Sequence, residues 1–166
     1  MKNITVIFLT ALILAGCSPK YEPSYTHIAK TTEQAVANTK KAQILKEKKP
    51  VIFATVTYLD SLENKKFVDK NLEQFVVGIH FTHSKISREE QEKMLKKLTF
   101  QIDDNKTSVT VIALKSTNPI LNIIPASTPW SHYFLVQTPK IQKNTIVFSF
   151  QIPPYQRQSL TFKKDF

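Results

Sequence analysis

Cysteine is nearly absent from this chain of 166 residues, Cys17 being the only one. No disulfide can close within the molecule, and a CxxC redox pair or a zinc ribbon is excluded. Glycine is almost as scarce, with Gly16 near the start and Gly78 in the body. That removes the chemistries built on Gly-rich loops: the phosphate-cradling P-loop, the dinucleotide fingerprint and the G-x-S-x-G elbow. Acidic residues are few as well, 13 against 23 Lys and Arg, for a formal net charge of +10. At roughly 100–200 residues per domain, the length suits one domain with an appendage.

The longest apolar run, residues 4–14 (ITVIFLTALIL), has 11 residues. It is short of the ~20 that a spanning helix needs but has the length of a signal-peptide core, and Lys2 supplies a positive start. Leu14-Ala15-Gly16-Cys17 follows. This string resembles the lipobox of bacterial lipoproteins at all four positions. The resemblance implies cleavage after residue 16 and lipidation of Cys17, with covalent lipid as the only attached group and no other cofactor. Several acyl chains, at ~0.8 kcal/mol per buried CH₂, make a lasting anchor where one does not. Ser18 stands where some families place an Asp that retains lipoproteins on the inner membrane, so the expected address is the cell envelope, with the outer membrane favoured.

Residues 17–38 read as the lipidated Cys and a tether. The stretch 18–27 (SPKYEPSYTH) is proline-interrupted and without apolar periodicity, and Thr31 or Thr32 offers a cap for a short helix through about Asn38. From residue 39 onward the period becomes two. Ile52, Ala54, Val56 and Tyr58 share one face of a strand; Phe75, Val77, Ile79 and Phe81 share another; Leu98, Phe100 and Ile102 a third. Asp103-Asp104-Asn105-Lys106 reads as a hairpin turn into residues 108–114, and strands are expected at 131–137, 145–152 and around Leu160 and Phe162. Ser87-Arg88-Glu89-Glu90 has the form of a capping box and predicts one helix from Arg88 to Lys96.

Seven or eight short alternating strands with Pro-rich turns predict a mostly β chain, a two-sheet antiparallel β-sandwich over residues 39–166. The layout resembles immunoglobulin-like and fibronectin-like domains of small surface lipoproteins. It departs from antibody domains in lacking the Cys pair and in placing Trp130 before a late strand; a lipocalin-like barrel is the rival architecture.

Chemistry-bearing clusters are weak. His80 and His83, three apart on a strand, point to opposite faces and make a poor metal pair, so no metal site is assigned. Ser131 and His132 are adjacent and face opposite ways, which does not suit a nucleophile and its base. Glu89, Glu90 and Glu92 complement a helix dipole, and DDNKT lacks the oxygen spacing of a calcium loop. No catalytic residue is named and the chain is not read as an enzyme. Two features remain. Lys40, Lys41, Lys46, Lys48 and Lys49 surround an expected edge strand, where they either block edge-to-edge pairing or attract an anionic envelope component. The connection 116–129 holds Ile120, Leu121, Ile123 and Ile124 just before Trp130; these either plug one end of the sandwich or dock a protein partner. The expected function is a lipid-anchored, non-catalytic binding or scaffolding module. An accessory subunit of a secretion or envelope-assembly complex and a hydrolase with dispersed carboxylates are the alternatives. Nucleic acid is not an expected partner, since no aromatic-rich binding motif accompanies the charge.

Overall fold

A computed structural model describes residues 23–62, 66–82, 86–103 and 109–164. Cys17 and the leader, His83, and residues 104–108 with the expected turn lie outside them. Helix α1 (Pro23–Ala37) leads into strands β1 (Thr39–Lys46), β2 (Lys49–Tyr58) and β3 (Leu72–Phe81). Helix α2 (Arg88–Lys96) follows, then β4 (Thr99–Ile102), β5 (Thr110–Leu114), a 3₁₀ turn (Pro119–Asn122), β6 (His132–Pro139), β7 (Thr145–Gln151) and β8 (Gln158–Lys163).

All strand pairs are antiparallel. One sheet runs β1-β2-β3-β6-β5 and the other β4-β7-β8. The order β2-β3-β6-β5 over β4-β7-β8 is that of a constant-type immunoglobulin domain, and β1 is an extra strand added to its edge. The alternation read from the sequence explains the core. Ile52, Ala54, Val56, Tyr58, Phe75, Val77 and Ile79 point inward from the larger sheet; Ile102, Ile146, Phe148, Phe150 and Phe162 meet them from the smaller one. Phe75 lies 4.8 Å from Phe148 and 5.4 Å from Phe162 between ring centroids. Tilted and edge-on aromatic pairs of this kind add ~0.5–1.5 kcal/mol each beyond the area they bury.

A second apolar layer covers the outer face of the larger sheet. Val76 and Tyr133 form its floor, with Ala35 of α1, Leu59, Leu62, Ile120, Leu121 and Ile124 packed above. The 116–129 connection therefore folds back over a sheet face and does not plug the end of the sandwich. Thr31 and Ala35, one helical turn apart, are buried, so α1 lies against the body; it is also longer than the sequence suggests. Gly78 sits beneath this layer. A Cβ there would stand 2.7 Å from Thr55 Oγ1 and 2.8 Å from Tyr133 Cε1, and only glycine lets the ring lie so close. The Tyr133 hydroxyl in turn accepts the Thr128 N–H at 2.6 Å, holding the end of the connection.

One local expectation is corrected. The strands on either side of the expected hairpin turn, β4 and β5, belong to different sheets and do not pair with each other. Asp103, at φ 49°, instead laces β4 to β7: its carboxylate accepts the Val147 N–H at 2.8 Å and lies 3.2 Å from Lys143 Nζ. Between β1 and β2 the chain turns tightly at Glu47 and Lys48, which stand at φ 52° and 64°. Two successive positive φ values suit the twist of a two-residue hairpin, here without the glycine that usually supplies them.

Candidate groove at the helix α2 end

Four connections gather at one end of the sandwich: the β1–β2 turn, α2 with its flanks, the approach to β6, and the β7–β8 connection with its cis Pro153–Pro154 bond. Helix α2 forms there because Ser87 caps it in both directions. Its side chain accepts the Glu90 N–H at 3.2 Å, and its own N–H donates to Glu90 Oε2 at 2.9 Å. These bonds hold the Glu90 carboxyl below its usual range. Met94, Leu95 and Leu98 press on the core from this end, leaving Arg88, Glu92 and Lys96 toward solvent.

Between α2 and the strands β5 and β6 lies a groove of about 820 Å³. Leu95, Ala113 and Phe134 supply apolar lining; Arg88, Glu92, Lys96 and His132 supply polar and charged groups. Trp130 stands at its mouth with 77% of its surface exposed, the most exposed of the large hydrophobic residues among those described. Arg88 Nε and Glu92 Oε1 are 3.7 Å apart on the surface of α2, too exposed to bind each other strongly. Partial burial and then the nearby Arg88 charge lower the His132 pKa, against an opposing pull from Glu92. The imidazole is held toward its neutral form, and its ring meets Phe81 edge-on at 6.1 Å. The arrangement is an open cleft with an aromatic lip and mixed charge, suited to holding a side chain or a short chain segment.

Of the residues expected to dock a partner, Ile120, Leu121 and Ile124 are buried and Ile123 is half-buried against the outer layer. Their apolar surface is used within the chain, and Trp130 alone of the five remains free. The five lysines are all exposed. Lys40 Nζ lies 5.8 Å from the centre of the Phe162 ring, so its stem crosses toward β8. Lys46 and Lys49 border a second cavity of about 540 Å³ together with Ile86, Met94 and Tyr155. His80 is half-buried on β3, while Ser131 Oγ is 2.9 Å from Thr128 Oγ1. Among the described residues, no group of three or more His, Cys, Asp or Glu side chains could hold a metal ion.

The opposite end holds a cluster that the sequence reading passed over. Glu73 is fully buried; its carboxylate accepts the Tyr58 hydroxyl at 2.5 Å and the Ile141 N–H at 3.0 Å, and it pairs with Lys164. Asp60 pairs with Lys140, whose Nζ is also 3.6 Å from Glu73 Oε2. Burial pushes the Glu73 carboxyl up, but Lys164, Tyr58 and the Ile141 N–H outweigh it and hold it at about 2. Burial also raises Asp60, where Lys140 offsets it only partly and the Glu73 charge adds to it, leaving about 6. Burial and the Glu73 contact push the Tyr58 hydroxyl far above its ordinary value. One signal for this cluster was present in the sequence: period two from Phe75 and Val77 puts Glu73 on the core wall, where a carboxylate must find partners.

No protein-family model, curated protein or solved structure matches the chain. The immunoglobulin-like reading therefore rests on strand order and the facing of side chains. Among the described residues, no helix is long and apolar enough to cross a membrane.

Proposed function

We propose that the protein is a lipid-anchored envelope protein that binds a protein partner at the α2 end of its sandwich and has no catalytic role. The observation that carries the binding site is Trp130: it stays exposed at the mouth of a groove of about 820 Å³, while the aliphatic residues before it are buried. Exposed aromatic side chains beside clefts are the usual anchors of protein recognition. The anchor rests on Leu14-Ala15-Gly16-Cys17 and the apolar run before it. The non-catalytic reading is supported by the two carboxylates with divergent titration, Asp60 and Glu73, being tied to lysines and a tyrosine.

The test is a photo-crosslinking residue placed at position 130 in living cells, with a second at Val147 on the smaller sheet as control. A discrete crosslinked species from 130 and none from 147 is the expected result; equal or absent crosslinking from both ends the proposal for the groove. Cys17→Ala is expected to move the protein out of the detergent phase, and unchanged partitioning would end the proposal for the anchor.

A further inference from the structure

The groove continues onto an open strand. β5 is the outer strand of the five-stranded sheet, and among the described residues β6 is its only strand neighbour. Thr110, Val111, Ile112 and Ala113 are exposed, with Val111 and Ile112 at 46% and 44%. No residue of Thr110–Leu114 carries a charge. The contrast with the other edge of the same sheet is sharp, since β1 holds Lys40, Lys41 and Lys46. Lysines along an edge obstruct pairing with a further strand; an uncharged, β-branched edge does not.

An open edge presents a row of backbone N–H and C=O groups that only another extended chain can satisfy in register. The residues it faces decide which chain. Ala113 of β5 and Phe134 of β6 line the groove below, while Leu95, Arg88 and Lys96 line it from α2. Arg88 and Lys96 outnumber Glu92 among the charges of α2 in the groove, on a chain of net charge +10. A second copy of β5 would bring no carboxylate and another positive surface, so self-pairing lacks complementarity.

We propose that β5 receives an extended segment of a partner protein as a sixth strand of the larger sheet, with an apolar side chain entering the groove at Ala113, Phe134 and Leu95 and an acidic side chain meeting Arg88 and Lys96. The inference rests on the reading of the groove as a protein-binding site and adds the form and charge of what it binds. Such strand addition takes its affinity from main-chain hydrogen bonds and its specificity from alternate side chains.

Trp130 is the only tryptophan, so its fluorescence reports the groove without interference. The full-length lipidated protein in detergent is panned against a displayed library of short peptides. Enrichment of β-branched sequences carrying Asp or Glu is expected, with the selected peptides shifting Trp130 emission to the blue. Ile112→Lys, which places a guard on an exposed position of the edge, is expected to weaken them by about tenfold or more while leaving the unfolding midpoint unchanged. Arg88→Glu with Lys96→Glu is expected to transfer preference to Lys-bearing peptides. Failure to enrich any sequence, or binding indifferent to Ile112→Lys, overturns the strand-addition proposal. If crosslinking from position 130 persists in cells in that case, the binding role of the groove survives; if it is also absent, both fall.

Discussion

The two ends of the sandwich hold comparable numbers of charged and aromatic groups and use them in opposite ways. At one end Tyr58, Asp60, Glu73, Lys140 and Lys164 are turned on each other, and Glu73 has no exposed surface. At the other, Arg88, Glu92, Lys96, His132 and Trp130 are spread around a groove, and the one ion pair among them is loose. The largest shifts in titration fall at the closed end, while accessible surface marks the open one, where a helix cap lowers Glu90 and partial burial lowers His132. A search for strongly shifted carboxylates alone would select the closed end, because ion-pair networks that serve structure also shift pKa values.

The comparison breaks most plainly at Glu73. Glu73→Gln keeps the volume and leaves the Lys164 ammonium, whose side chain is 10% exposed, without its counter-ion. Removing one partner from a buried pair costs about 3–5 kcal/mol, so the urea midpoint should fall steeply. Crosslinking from position 130 should persist under conditions where the variant is folded. Loss of crosslinking in folded Glu73→Gln would mean that the two ends are coupled and that the contrast drawn between them is false.

Gly78→Ala tests what holds the open end in place. The added methyl must displace Thr55 Oγ1 or the Tyr133 ring, and overpacking of this kind costs about 1–3 kcal/mol. Because Tyr133 also accepts the Thr128 N–H, the shift should reach Trp130 and change its emission. A destabilised variant with unaltered Trp130 emission would separate the groove from the layer beneath it.

pH separates the two carboxylates of the closed end. Asp60, raised from 3.8 to about 6, takes up its proton in the folded state first, so stability gains as pH falls through 6. Glu73, lowered from 4.5 to about 2, is protonated first in the unfolded chain; its contribution is complete above 4.5 and is lost as pH falls toward 2. Together they place a maximum near pH 4, between the unfolded-chain values of 3.8 and 4.5, with changes on the order of 1–2 kcal/mol on either side. Asp60→Asn should remove the decline between pH 5 and 7 and keep the acid limb. Chemical denaturation across that range checks it, and an unchanged neutral limb would show that Asp60 is not its source.

Much of the fold was legible because period two carries the inward set directly: Ile52, Ala54, Val56 and Tyr58, and Phe75, Val77, Ile79 and Phe81, all face the core as read. The bounds of α2 were legible because Ser87 and Glu90 form a reciprocal cap that local sequence specifies. Asp103 misled because the same residue that favours a turn also tolerates positive φ at the end of a strand, and only the pairing of β4 with β7 decides between them. The 116–129 connection was ambiguous for a related reason. Its aliphatic residues demand burial, but besides the adjacent Tyr133 the surface that buries them belongs to α1, β3 and the connection between β2 and β3, far away along the chain. The groove was least legible, since it joins one side of α2 to strands after residue 110 and no local pattern reports that meeting.

The smallest expected effect on stability belongs to Trp130→Ala, and it sharpens the contrast most. A side chain 77% exposed contributes little to packing, and surface substitutions away from caps and cores usually stay within about 0.5 kcal/mol. The urea midpoint should therefore match that of the parent protein. Binding should not: removing an aromatic anchor at the centre of a contact costs about 2 kcal/mol or more, enough for a loss of some thirtyfold in affinity. Peptides selected on the parent protein, followed through a label on the peptide since the variant lacks tryptophan, provide the measurement. A variant with a normal midpoint and normal binding would remove Trp130 from the site; the groove would then have to act through α2 and β5 alone, with the aromatic lip a bystander.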